Sequence, residues 1–350
     1  MDPKIRNEQI WLITGSLAIL AVIALSVALS LTRQFMVPFV LAVFIAGLVA
    51  PVVDYQVVRL RFPQWAAVLV AFVIVLGIMT ILGMFVIGAV QSVVDKAIEY
   101  SQSMKQVVER TFDWIEQFGW SEETGSLYDR DKITREITVQ IPQVAAQTAG
   151  TALQLVSNTT LVIIFAIFLL AGRNPYAAST PVYAAIDSSI RQYIATKVLL
   201  SSITGVLVWA TLRMLGLDMA STFGVLACLL NFIPSLGSIV ATLLPIPVAI
   251  VDFDSGWKIL AVIVVPGTIQ MTIGNVIEPK MMGQGLELHP VTILLALAFW
   301  GLLWGVVGMI LAVPIMASIR IVLMQFTITQ PIGNVLAGVL PGSQPAESVA

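Results

Sequence analysis

Charge is what this chain has least of. Only 11% of its 350 residues are Asp, Glu, Lys or Arg, against about 25% in a soluble domain. That excludes a globule with water on every side, because too little polar surface exists to cover it. The net charge of −2 excludes a nucleic-acid-binding surface and a polybasic patch for lipid docking. Cysteine is almost missing: Cys228 stands alone in an apolar stretch, which rules out an internal disulfide framework and a multi-cysteine metal site. Small membrane-packing residue is its simplest reading. Histidine is equally scarce, with His289 the single case. The chain also lacks a P-loop, a Rossmann fingerprint, an HExxH pair and a hydrolase nucleophile elbow. Nothing therefore points to an enzyme, a cofactor or a metal, nor to an ATP-driven pump unless a partner chain brings the ATPase.

What is present in quantity is apolar sequence. Hydrophobic residues make up 58% and the mean hydropathy is +0.95. The chain reads as an all-α integral membrane protein with about eight transmembrane helices, some of them broken. Charges punctuate it into apolar segments at 10–31, 35–53, 65–90, 151–171, 198–212, 219–251, 259–277 and 291–318. A bilayer takes about 20 apolar residues. The fifth segment is short for that and crosses if Lys197 and Arg213 snorkel at its ends. The first follows Lys4 and Arg6 in the manner of a signal peptide, but it exceeds the about 7–15 residues of a signal core. A retained helix is the expectation.

Lys4, Arg6, Arg59, Arg61, Arg173, Arg191 and Lys197 fall on one side if each early segment crosses once, and the positive-inside rule makes that side cytoplasmic. Segment 219–251 is either one broken crossing or a hairpin, and a hairpin inverts everything after it. The domains expected are helices 1–3 over 1–90, an extracytoplasmic helical region over 91–150, helices 4–8 with a transport site over 151–320, and a tail over 321–350. The tail reads as a short surface segment. Region 91–150 holds ten of the twenty acidic residues. Its apolar residues recur at helical spacing from Val90 to Phe118, and again at Ile133, Ile137, Ile141 and Val144. A helical hairpin, a solvated spacer and an interfacial helix marked by Trp114 and Trp120 are the readings open.

Two consecutive segments are interrupted. Asn231, Ser235 and Ser238 surround Pro234 and Gly237 in the sixth; Pro266 and Gly267 precede Gln270, Asn275 and Glu278 in the seventh. A broken membrane helix frees backbone N–H and C=O groups at depth, tolerable where protein or a water-filled cavity satisfies them. Facing breaks would make a polar chamber for a small hydroxylated solute or a cation. Plain packing is the alternative, since Gly and Pro are common in membrane helices. Glu278 and Lys280 read as an interfacial ion pair or a titrating gate, and His289, before Pro290, as a helix cap. Arg191 pairs with Asp187 one turn away or binds an anionic headgroup.

These motifs resemble a known family. The run from Asn231 through Phe232, Ile233 and Pro234 to Gly237, then Glu278-Pro279-Lys280 with Gly283, Leu288-His289-Pro290, and Phe299-Trp300-Gly301 through Ala312-Val313-Pro314 are similar to the autoinducer-2 exporter family, also called PerM-type permeases. The likeness extends over roughly 38–320. It implies a homo-oligomeric permease of the bacterial inner membrane, working without ATP-binding domains on a small molecule or a cation. Export of the autoinducer-2 signal in quorum sensing is the first expectation, sodium or lithium/proton antiport the second. A non-transporting structural or regulatory membrane protein is the rival from another class. Asp252, Asp254, Glu278 and Glu287 are the late carboxylates an antiporter would draw on, and all lie near segment ends.

Overall fold

Long uncharged runs leave the backbone one way to satisfy its own polar groups in hydrocarbon, and helix is what forms. The computed structural model describes residues 3–117, 143, 159–173, 180–282 and 288–339. Among them all regular structure is helical. Among the described residues five helices are long and apolar enough to cross a membrane: Ile13–Leu31, Arg33–Val58, Pro181–Leu215, Gly256–Met282 and Pro290–Leu323. In chain order the helices are α1 (Pro3–Leu31), α2 (Arg33–Val58), α3 (Gln64–Gln117), α4 (Thr159–Ala171), α5 (Pro181–Leu215), α6 (Ala220–Leu230), α7 (Leu236–Leu243), α8 (Ile246–Asp252), α9 (Gly256–Thr272), α10 (Glu278–Met282), α11 (Pro290–Leu323) and α12 (Gln330–Leu336). A π-helical turn, Ile273–Ile277, joins α9 to α10.

The helix α3 has 54 residues and is about 80 Å long at 1.5 Å per residue, against about 30 Å of hydrocarbon. The third span therefore continues unbroken into the charged region, as its first arm. The second arm expected around Ile133–Val144, and the turn between the arms, lie outside the described residues.

The chain divides into two compact units: Met1–Val68, Thr160–Ile190 and Leu286–Ala350 form one, Leu69–Thr159 and Arg191–Gly285 the other. In the first, Thr32 alone separates α1 from α2, with φ −93° and ψ 7°. Met36 N–H still reaches the Thr32 carbonyl, so α1 runs into α2 through a bend. Ala42 packs with Val162 and Ala166 between α2 and α4, Asp54 pairs with Arg173 at 2.9 Å, and Gln64 donates to the Ala171 and Arg173 carbonyls.

The eighth segment is not one straight crossing. Gly305 has φ 64° and ψ −144° inside α11, a conformation open to glycine. A Cβ on Gly308 would lie 2.0 Å from the Trp300 carbonyl oxygen, whereas residues eight apart in a straight helix are separated by about 12 Å. So α11 folds back on itself at Gly305, with Trp300 and Trp304 rings 4.8 Å apart at the fold. Where a surface tail was expected, α12 forms and closes the base of this hairpin: His289 N–H donates to the Leu336 carbonyl at 2.9 Å.

The second unit holds a hairpin of the same kind and settles the alternative left open for 219–251. α6 has 11 residues, about 16 Å, half a bilayer. The chain turns over 231–235 and returns through α7 and α8. Gly237 sits so close to α6 that a Cβ there would be 1.8 Å from the Leu230 carbonyl oxygen. The two ends of the segment meet, since the Asp252 carboxylate accepts from Asp218 N–H at 3.0 Å, and Asp218 also pairs with Lys96. Ala227, Ala241, Val248 and Val262 pack with Val208 and Leu212 into one apolar core. We expect cysteines placed at Asp218 and at Asp254, in a Cys228→Ala background, to label from the same side of sealed vesicles. Labelling from opposite sides would mean that the segment crosses.

Candidate functional site

One face of α9 and its extension carries the polar residues of the seventh segment. Gly267, Gln270, Gly274 and Glu278 recur every three or four residues, which places them on one side of a helix. The hairpin answers with Asn231, Ser235, Ser238 and Thr242 at the same spacing. α7 packs against α9, and between them lies a cavity of about 460 Å³, within the about 300–1,000 Å³ usual for small-molecule sites. Asn231, Pro234, Ser235, Ser238, Gln270, Asn275 and Glu278, all expected on the pathway, line this cavity. Gly237 does not; it is the contact that lets α7 lie on α6.

The expected interruption at Pro266 and Gly267 is absent. α9 runs through both, with Pro266 buried and its missing N–H costing one ladder bond. The irregularity comes later, as the π turn at Ile273–Ile277. Such a turn carries one extra residue and re-aims the helix beyond it, which here begins at Glu278.

Glu278 does not pair with Lys280, which is exposed on α10. Its Oε1 lies 2.5 Å from the Lys197 ammonium of α5. Lys197, expected to snorkel, is 1% exposed. Its second bond goes to the Asn231 carbonyl at 3.1 Å, a group freed by the turn at the hairpin tip. The Asn231 amide in turn donates to Ser201 Oγ at 3.1 Å. One ammonium thus ties α5, the hairpin tip and the start of α10 together. Lys197 and Glu278 are the two charged residues lining the cavity, and they neutralise each other.

Ser201 is a candidate that sequence reasoning missed, and Lys197, read there as a snorkelling residue at the end of the fifth segment, has a different place. A signal for them existed. Tyr193, Lys197, Ser201, Thr204, Val208 and Leu212 are all buried on α5 at three- to four-residue spacing, so Lys197 sits within the stripe that faces protein. A lysine within such a stripe has a partner by physical necessity, because an unpaired buried charge is too costly. Arg191 is partly buried on α5 and does not line the cavity.

The hairpin tip is strained. Ser235 has φ 61° and ψ −57°, and Leu236 N–H donates to the Pro234 carbonyl at 2.7 Å. That is a γ-turn of the rare, strained hand. Strain of this kind costs about 1–3 kcal/mol and concentrates in clamps and switch regions.

His289 belongs to the other unit and caps α11: its Nδ1 accepts from Val291 N–H at 3.3 Å. Replacing it with Asn keeps an acceptor, so we expect a stability change of a few tenths of a kcal/mol, while Leu should cost about 1 kcal/mol. Thermal unfolding of the purified variants in detergent measures both.

Comparison with known proteins gives a consistent picture. Residues 17–328 match the family described as AI-2E family transporter. The AI-2 transport protein TqsA of Escherichia coli (strain K12) is 30% identical over 87% of this chain and 90% of its own length. A putative transport protein of Haemophilus influenzae is 30% identical over 88% and 91%. The putative transport protein YueF of Bacillus subtilis is 24% identical over 87% and 89%.

Proposed function

The chain belongs to the AI-2E transporter family, a multi-pass membrane transporter, and from that premise we propose that it is a permease of the bacterial inner membrane for a small polar organic solute such as autoinducer-2. The observation that carries this reading is the cavity between the hairpin and α9, a helix long and apolar enough to cross a membrane, walled by freed backbone groups, hydroxyls and amides. Such groups are tolerated there only if protein, water or a passenger satisfies them. The Lys197–Glu278 bridge acts as the gate, because it links the hairpin tip to the helix behind it. The strained turn at Ser235 lets the tip move at low cost.

Sodium or lithium/proton antiport is the second reading. It draws on Glu278, the carboxylate that lines the cavity. Its charge is already matched by Lys197, which favours the uncharged passenger. The proposal includes a role in quorum sensing, periplasmic exposure of region 91–150 and assembly of several copies. The last is supported by α1, where none of the described side chains from Ile13 to Leu31 is buried, leaving a surface for lipid or a second copy.

Purified protein in liposomes tests the reading. Labelled autoinducer-2 should cross well above the rate in protein-free vesicles, and sodium should not. Flux of sodium driven by a proton gradient, without flux of autoinducer-2, would establish the antiporter instead.

A further inference from the structure

Gln270 is 3% exposed, yet neither its Oε1 nor its Nε2 has a hydrogen-bond partner. Exchanging the two ends of the amide changes nothing, since both are unmatched. More than about nine in ten buried polar groups are hydrogen-bonded, so this residue stands out. It lines the cavity on the face of α9 turned to the hairpin, with Gly267 and Gly274 one turn away on either side. Those two positions offer no side chain that could partner it.

Asn231, Thr242 and both charges of the cavity wall are already engaged elsewhere. The Asn231 side-chain amide donates to Ser201, and the Asn231 backbone carbonyl accepts from Lys197. The Thr242 hydroxyl donates to the Ser238 carbonyl at 2.9 Å. The two charges of the wall are spent on each other. A side-chain amide sets N–H donors beside a carbonyl acceptor, with no net charge. What completes it is a molecule carrying an acceptor next to a donor, as two adjacent hydroxyls do or a hydroxyl beside a carbonyl.

We propose that Gln270 is the specificity-determining residue of the transport site, reading a vicinal hydroxyl pair on an uncharged solute. This assignment rests on the permease reading above. A site built to hydrogen-bond hydroxyls discriminates strongly against solutes without them, because its buried polar groups are then left unpaired.

Uptake of labelled autoinducer-2 into proteoliposomes is the test, using wild type and Gln270→Met, which keeps the length and loses the amide. The KM should rise about tenfold, the loss of roughly one good hydrogen bond, with the maximal rate kept within about twofold. Erythritol, with adjacent hydroxyls, should inhibit wild type at concentrations where 1,4-butanediol does not, and the Met variant should lose that difference. An unchanged KM in Gln270→Met, or equal inhibition by the two alcohols in wild type, overturns the assignment and leaves the permease reading standing. Absence of autoinducer-2 uptake by wild type removes both together.

Discussion

Replacing Glu278 with Gln will abolish most transport and destabilise the chain by about 3–5 kcal/mol, the cost of stranding one member of a buried ion pair. The reason lies in Lys197, which is 1% exposed and keeps a neutral partner, the Asn231 carbonyl, but no counter-charge once its carboxylate is gone. Lys197→Met alone should be milder on stability, because Glu278 keeps a side-chain exposure of 14% and reaches water more easily. The double variant, Met at 197 and Gln at 278, removes both charges. It should regain much of the lost stability, since uncharged replacements of buried pairs are often neutral or better, but it should not regain flux. Thermal unfolding in detergent beside flux in liposomes separates the two effects. Glu278→Gln with wild-type stability and flux would mean that the pair neither holds the fold nor works the gate. As a mere neighbour of Lys280 at the membrane surface, the same carboxylate would have been dispensable for assembly.

Gly237→Ala should have the second large effect. Its Cβ would stand 1.8 Å from the Leu230 carbonyl oxygen, and no side-chain rotation relieves a clash made by Cβ itself. α7 must then lift off α6, which opens the apolar core beneath and widens the cavity. Overpacking in a well-packed interior costs about 1–3 kcal/mol and more where backbone must move. Gly256 is the control, because a Cβ there meets nothing within 4 Å, and Ala at that position should be neutral or slightly stabilising. We expect Gly237→Ala to run as aggregate on size exclusion while Gly256→Ala elutes as wild type.

The polar residues of the site were legible as groups beside Pro and Gly in two apolar segments; that they share a face follows from helix periodicity, which is local. Gly267, Gln270, Gly274 and Glu278 betray a shared face by spacing alone, as do Asn231, Ser235, Ser238 and Thr242. The cap at His289 was legible for the same reason, since Pro290 fixes where the helix begins. Periodicity names a face but not what lies across from it. So Glu278 drew Lys280, two residues on, while its real partner stands on a distant helix. Hairpins were legible only in part. An uncharged run has the same composition whether it crosses or folds back, and the difference rests on single residues such as Gly237 and Gly305. The π turn left no compositional mark at all, whereas Pro266, the conspicuous breaker, is absorbed into a continuous helix.

One measurement reaches the central claim, that solute passes through the cavity between the hairpin and α9. In a Cys228→Ala background, Ser238→Cys places a thiol on the cavity wall, and Asp254→Cys places one in the exposed bend before α9. A small charged methanethiosulfonate reagent should modify position 238 and stop autoinducer-2 flux, with the solute protecting the thiol when present in excess, and modification at 254 should leave flux intact. Complete modification at 238 with undiminished flux would contradict the account, because the pathway would then run elsewhere in the molecule.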